Sequence, residues 1–83
     1  MADARRLMEL TLPEPTAVEL AAQIAAQTGD KDRLIGVGVI PELAAELAAQ
    51  IDADPVSAPK LVELSMIPEL AVEVAAQITA DRP

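Results

Sequence analysis

Apolar positions recur along this chain at a fixed spacing of 27 residues. Three related segments, AVELAAQI, AAELAAQI and AVEVAAQI, begin at positions 17, 44 and 71. Upstream of them, RLMELTL, RLIGVGV and KLVELSM begin at positions 6, 33 and 60. A fixed period of this length is the sequence signature of a repeat architecture. We therefore expect one domain over 1–83, built from three repeats at 6–32, 33–59 and 60–83.

The second half of each repeat is predicted to be a helix. Proline followed by glutamate opens it at Pro41 and Pro68, where a missing N–H costs nothing and the glutamate faces the positive helix end. Leu43, Leu47 and Ile51 then form one apolar stripe at helical spacing.

The first repeat departs from this pattern. Thr16 stands where the other repeats have leucine, and Pro13 and Pro15 flank Glu14. This predicts a late helix start with Thr16 and Glu19 as a capping box, and hence the shortest of the three helices.

The first half of each repeat fits either a strand or a helix. Met8, Leu10 and Leu12 alternate with polar residues, which is typical of a strand. Leu7 and Leu10 also lie three residues apart, which is typical of a short helix. Such a helix would end near three equivalent positions, Thr11, Gly38 and Ser65. Gly38 suits the left-handed residue that ends many helices, but periodicity over seven residues does not decide between the two structures.

Composition indicates that the apolar core is limited. The chain has 52% hydrophobic residues but no aromatic residue, no cysteine and no histidine. Domains of this size bury only about 60% of the surface that the unfolded chain exposes, and small scaffolds compensate with disulfides, a metal or oligomerisation. Without cysteine or histidine, oligomerisation is the remaining option, so we expect a homo-oligomer.

The apolar stripe of each predicted helix is flanked by alanines, so its apolar surface is wider than one short partner element would cover. Contiguous apolar surface of this kind marks an interface. We expect an oligomer seam formed by Leu7, Leu10, Leu20, Ile24, Leu34, Val37, Leu43, Leu47, Ile51, Leu61, Leu64, Leu70, Val74 and Ile78.

Three glutamines and three glutamates recur in the same register. For Gln23, Gln50 and Gln77 we favour a solvent-facing position, with hydrogen bonding to a neighbouring turn or to another chain as the alternative. The glutamates Glu19, Glu46 and Glu73 are interpreted as a solvated face. Pairing of these glutamates with Arg6, Arg33 and Lys60, which recur with the same period, is a second hypothesis.

Charge and residue types exclude several function classes. A net charge of −8 argues against nucleic acid and anionic membranes as partners. Activated nucleophiles and metal sites normally need the absent histidine or cysteine, and Gly36-Val37-Gly38 lacks the third glycine of a dinucleotide-binding loop. Asp52 and Asp54 are interpreted as solvated linker acids. We expect no enzyme activity and no cofactor.

The whole repeat resembles a known family. A leucine-led segment, a Met/Val-Ile-Pro-Glu-Leu-Ala turn and an Ala-Ala-Gln-Ile ending, over residues 6–83, are similar to repeats of the head fibre proteins of tailed bacteriophages. This resemblance implies helix-turn-helix repeats in a supercoiled homotrimeric fibre that projects from the capsid.

From the resemblance we expect an all-α virion protein, a head fibre or decoration protein on the capsid surface. It would be made in the host cytoplasm and would contact capsid or other virion proteins. The alternative is a natural or designed module of β/α or helical repeats, without catalytic activity, that binds a protein partner through its apolar face.

Overall fold

The computed structural model describes residues 1–82 of the chain. Within them the fold is all-helical and contains no strand, which confirms the all-α prediction and excludes a β/α repeat for this part of the chain. The helices are α1 (Ala4–Glu9), α2 (Glu14–Ala26), α3 (Lys31–Gly36), α4 (Pro41–Asp52), α5 (Ala58–Glu63) and α6 (Pro68–Asp81).

Each short helix begins at a polar N-cap. The side chains of Asp3, Asp30 and Ser57 accept a hydrogen bond from the backbone N–H three residues later. This bond satisfies one of the free N–H groups of the first turn. The three caps are themselves 27 residues apart, so the structural units begin a few residues before the predicted repeat starts at 6, 33 and 60. The N-caps settle the first half of each repeat in favour of a helix.

Each short helix ends in the same type of left-handed turn. The backbone φ angles are 92° at Thr11, 103° at Gly38 and 88° at Ser65. In the first turn, the N–H of Leu12 donates to the Leu7 carbonyl at 3.1 Å, and the other two turns repeat this bond. This is the Schellman arrangement, which satisfies carbonyls at a helix end. The predicted ends of the short helices are therefore confirmed.

The long helices begin at or near the predicted prolines. Pro41 and Pro68 are the first residues of α4 and α6. The late start predicted for α2 is wrong, because α2 begins at Glu14 and has 13 residues, one more than α4. Pro15 is tolerated since its missing N–H falls among the first-turn groups that have no partner within the helix. The Thr16 hydroxyl does not cap α2 and donates instead to the Val37 carbonyl at 2.6 Å.

The helices form three pairs, α1/α2, α3/α4 and α5/α6, and the pairs close into a ring. Helix α2 contacts α3, α4 contacts α5, and α6 returns to contact α1. The radius of gyration is 10.8 Å, whereas about 12 Å is typical of a compact domain of this length. The pairs thus lie around one approximate threefold axis and are not stacked in a row within the chain.

All three helix pairs supply the apolar core. Each pair contributes a fully buried leucine from its short helix, namely Leu7, Leu34 and Leu61. The long helices add the buried residues Ala17, Leu20, Ile24, Ala44, Leu47, Ile51, Leu70, Ala71, Val74 and Ile78, and the third turn adds Met66. Ring closure therefore gives every apolar stripe a partner within one chain.

Candidate docking face and glutamine clasps

Each junction between helix pairs is held by a buried glutamine side chain. The Gln23 Oε1 atom accepts from the N–H of Asp30 at 2.9 Å, and its Nε2 atom donates to the Asp30 carbonyl at 3.0 Å. We call this two-bond contact between a glutamine and the N-cap residue of the next short helix a glutamine clasp. The same clasp joins Gln50 to Ser57 at 3.1 and 3.3 Å, and Gln77 to Asp3 at 2.9 and 3.1 Å.

The clasp glutamines are buried, so the favoured solvent-facing interpretation is wrong. Gln23, Gln50 and Gln77 are 5%, 0% and 2% exposed. The alternative, a hydrogen bond to a neighbouring turn, is confirmed, and it acts within the chain. A glutamine is needed because its amide presents one acceptor and one donor side by side, which matches the N–H and C=O of one backbone residue.

Each clasp is extended by a glutamate one helical turn earlier. The second Nε2 hydrogen of each glutamine points to a carboxylate, at 2.9 Å for Glu19, 2.8 Å for Glu46 and 2.9 Å for Glu73. Each clasp glutamine therefore uses both amide hydrogens and its carbonyl oxygen. Since unpaired buried polar groups are costly, this arrangement fixes the angle between successive helix pairs.

Two of the glutamates also pair with arginine, which confirms part of the second hypothesis, whereas no ion pair joins Lys60 to Glu46 within residues 1–82. The guanidinium of Arg33 contacts Glu19 through two bonds of 3.1 Å, and Arg6 contacts Glu73 at 3.2 Å. The hydrogen bond from Arg33, and secondly that from Gln23, lowers the pKa of Glu19 below its ordinary value. The same pair raises the pKa of Arg33.

The N-cap residues Asp3, Asp30 and Ser57 were missed as site residues by the sequence reasoning. The sequence does contain a pattern that marks these residues. They are spaced 27 residues apart, and Asp30 and Ser57 each follow a clasp glutamine by seven residues. Two of them lie in segments that are polar and rich in turn-forming residues, which favoured a linker interpretation.

The residues of the predicted oligomer seam lie inside the single chain. Ten are buried, namely Leu7, Leu20, Ile24, Leu34, Leu47, Ile51, Leu61, Leu70, Val74 and Ile78, and Leu10, Val37, Leu43 and Leu64 are half-buried. The stripe of each helix packs against other helices of its own chain. A seam between chains built from these residues would therefore require the ring to open.

An apolar pocket lies where the three turns meet. Equivalent residues of the turns, Leu12, Val39 and Met66, line it together with Leu20 and Leu47 of the long helices. Its volume is about 200 Å³. We call it the axial pocket, because residues of all three helix pairs surround it and none of its lining residues is charged.

The axial pocket continues into a second hollow and an exposed apolar rim. The second hollow, of about 260 Å³, shares Leu12 and Val39 with the axial pocket and also has no charged lining residue. Ile40 and Ile67 stand beside these hollows and are 47% and 43% exposed. We call this surface, formed by Leu12, Val39, Ile40 and Ile67 above the buried Met66, the turn face. On a chain with 14 acidic and 6 basic residues, an uncharged apolar face is a candidate docking surface.

The axial pocket owes part of its space to Thr16. The equivalent positions in the other two helix pairs hold Leu43 and Leu70, whose side chains are longer. The Thr16 hydroxyl is held by its bond to the Val37 carbonyl. The departure of the first repeat from the common pattern thus opens the hollow at the centre of the turn face.

Within residues 1–82, no group of three or more acidic side chains lies close enough to hold a metal ion. Throughout the same residues, every buried side-chain nitrogen or oxygen has a hydrogen-bond partner. None of the six helices is long and apolar enough to cross a bilayer.

Comparison with protein-family models, curated protein sequences and solved structures finds no match to this chain.

Proposed function

We propose that this chain is a non-catalytic structural component of a tailed-bacteriophage particle, a head fibre or decoration protein that docks on the capsid surface. The observation that carries the docking role is the turn face, an uncharged apolar surface with a pocket at its centre. The resemblance of the repeats to head fibre proteins supplies the partner, a capsid or other virion protein.

The form of the helix pairs supports this proposal. The resemblance implies helix-turn-helix repeats, and each pair consists of a short helix, a left-handed turn and a long helix. The chain would be made in the host cytoplasm and incorporated during particle assembly. Its homo-oligomeric state, a trimer in the fibre, is part of the same proposal.

The role of the chain on the particle would be mechanical. The glutamine clasps fix each helix pair against the next, so the three turns are held around the axial pocket. A rigid face loses little conformational freedom on docking, which favours binding. The surrounding acidic surface repels nucleic acid and other acidic molecules, so the turn face is the part of the chain suited to a protein contact.

A second candidate is an interaction module that binds a protein unrelated to a virion. It is favoured by ring closure, because a chain with its own buried core needs no further copy to fold. Both candidates use the turn face, and they differ in where the chain is found and in whether it forms a trimer.

The experiment is antibody labelling of purified phage particles, combined with variants of the turn face. Ile67→Asp should lower incorporation by about tenfold or more, because a carboxylate would be buried at an apolar contact. Val18→Asp is the matched control, since Val18 is 52% exposed on α2 and does not line the turn-face hollows.

Specific label on capsids, lost in the Ile67→Asp particles and kept in the Val18→Asp particles, is the expected result. Chain that is abundant in the infected lysate but absent from particles would overturn the virion assignment. Equal incorporation of both variants would overturn the docking role of the turn face. Sedimentation of the purified chain tests the trimer separately.

A further inference from the structure

The three junctions of the ring share the glutamine clasp but differ in covalent connection. The clasp at Gln23 joins helices linked by residues 27–30, and the clasp at Gln50 joins helices linked by residues 53–57. The clasp at Gln77 joins α6 to α1, which lie at opposite ends of this sequence. Helices α2 to α5 separate α1 from α6 along the chain, so no short linker joins these two helices.

We propose that the α5/α6 pair exchanges between copies of this chain, so that α6 of one copy clasps α1 of another. The partner is a second copy, because it presents the same Asp3 backbone groups and the same Arg6 side chain that close the ring within one copy. This inference concerns the chain in solution and does not rest on the virion assignment.

The closing junction is held by polar contacts that solvent can reach. Arg6, which pairs with Glu73, has a side chain that is 57% exposed. The N-terminal amine lies 3.4 Å from an Asp81 carboxylate oxygen, and the Ala2 N–H donates to that carboxylate at 3.1 Å. Exposed ion pairs contribute little each, so these contacts add only weakly to the clasp.

An open surface groove also lies along the contact between α1 and α6. It has a volume of about 500 Å³ and is lined by Arg6 and Leu10 of α1 and by Pro68, Val72 and two glutamates of α6. A similar groove of about 290 Å³ lies at the covalently linked α2–α3 junction, so the closing junction is packed no more tightly than a linked one.

The segment between α4 and α5 can serve as the hinge. Ala53, Asp54 and Pro55 are exposed, and Val56 is half-buried. Pro55 donates no backbone hydrogen bond. Opening the segment breaks the Gln50–Ser57 clasp and the bond from Arg82 to the Gln50 carbonyl, and exchange remakes both between copies. Helices α5 and α6 pack on each other within the third pair, so the pair can move as one body.

Exchange remakes the contacts that opening breaks. In an exchanged pair of chains, Leu61, Leu70 and Ile78 of one copy fill the core position of the same residues in the other. The energetic difference is then confined to the hinge and to the cost of association, so chain concentration decides between closed monomer and exchanged assembly. Reciprocal exchange gives a closed dimer, whereas transfer in one direction gives a row of copies. Either product places predicted seam residues between chains.

The test uses two full-length variants with opposite charge changes at the closing junction. Arg6→Glu places two carboxylates at the junction, and Glu73→Arg places two guanidinium groups there. Within each variant the closing pair is repulsive. In an exchanged dimer of the two variants, the new glutamate in α1 of the first chain meets the new arginine in α6 of the second. The other contact of that dimer joins the unchanged Arg6 of the second chain to the unchanged Glu73 of the first. The two chains therefore complement each other only through exchange.

Sedimentation and native mass spectrometry are performed on each variant alone and on the mixture at high concentration. Because two repulsive exposed pairs become two attractive ones, we expect about tenfold more mixed dimer than either variant forms alone. The chain carrying both changes should return to wild-type behaviour, because its closing pair is restored with reversed charges. A mixture with no more dimer than its components would overturn the proposal.

A second measurement uses no charge variants, so it does not depend on whether those variants fold. Wild-type chains carrying donor or acceptor dyes are mixed at high concentration, incubated and then diluted. Energy transfer that builds up over time is expected for the linear chain. It should be absent for a chain whose termini are joined covalently, because the α6–α1 junction of that chain cannot open to another copy. Equal transfer in both forms would show association without exchange and would overturn the proposal.

Discussion

The side chain of Gln77 and the backbone of Asp3 form two hydrogen bonds across 74 residues of sequence, at 2.9 and 3.1 Å. The pair reproduces the clasps that join neighbouring helix pairs elsewhere in the chain. A contact between the last helix and the first N-cap therefore follows the same geometric rule as contacts between consecutive units. This relationship makes the structure a closed ring of three helix pairs.

The first prediction concerns the contribution of a clasp to stability. Gln50 is fully buried, and Gln50→Met keeps the approximate side-chain shape while removing its hydrogen bonds. The N–H and C=O of Ser57 would lose these partners, so we expect a loss of about 2–3 kcal/mol in the free energy of unfolding. Urea unfolding followed by circular dichroism measures the change.

Gln27→Met is the matched control for that substitution. Gln27 is exposed and its side chain bonds to the Asp81 carbonyl, so the expected loss is under about 1 kcal/mol. Equal losses for the two variants would show that burial of the clasp does not stabilise the junction.

The second prediction separates core positions from exposed apolar positions. Leu47 is 1% exposed, so Leu47→Asp would bury a charge and is expected to cost about 4 kcal/mol or more. This is a large fraction of the stability of a small domain, and the far-ultraviolet helical signal should be largely lost. Val18→Asp, at an exposed position of α2, should keep that signal. A Leu47→Asp chain that stays helical but no longer assembles would instead place Leu47 in a seam between chains.

The third prediction concerns backbone conformation at two nearby glycines. An added Cβ at Gly36 or Gly38 would meet no atom within 4 Å, but Gly38 has a φ of 103°. Gly36→Ala should therefore raise the free energy of unfolding by up to about 1 kcal/mol, because glycine disfavours the helix. Gly38→Ala should lower it by about 1 kcal/mol, because a side chain is strained at positive φ. Thermal unfolding of both variants checks the opposite signs, and a shared sign would contradict this account.

The fourth prediction concerns acid stability and Glu19. The Arg33 guanidinium holds the pKa of Glu19 below its ordinary value of 4.5 in the folded chain. The ionised carboxylate thus stabilises the fold above about pH 4.5, and this contribution is lost as the pH falls through the lowered folded pKa. Arg33→Gln should raise the pKa of Glu19 and reduce the loss of stability in that acid range.

Carboxyl titration by NMR and unfolding at several pH values measure the two effects. Arg5→Gln is the control, because Arg5 is exposed on α1 and is not part of the Glu19 pair. High salt should weaken the effect in the wild-type chain, since the guanidinium is exposed. An unchanged Glu19 pKa in Arg33→Gln would rule out this cause of the shift.

Some of the fold could be predicted from residues close together in sequence. Pro41 and Pro68 begin long helices, and Gly38 ends a short helix, because φ preferences and first-turn hydrogen bonds are decided within a few residues. The alternating pattern of Met8, Leu10 and Leu12 was ambiguous for the same reason. A pattern of seven residues fits both the period of a strand and that of a helix. The N-cap hydrogen bond of Asp3, which favours the helix, involves a residue upstream of that pattern.

The sequence by itself determined the period of 27, the all-helical character of the second halves and the absence of aromatic, cysteine and histidine side chains. Tertiary structure decided that the helix pairs curve into a ring, that Gln23, Gln50 and Gln77 are buried, and that the three turns form one apolar face. These features depend on the angle between helix pairs, which contacts between distant residues set. Local patterns record which face of a helix is apolar, but the partner of that face is chosen only when the whole chain packs.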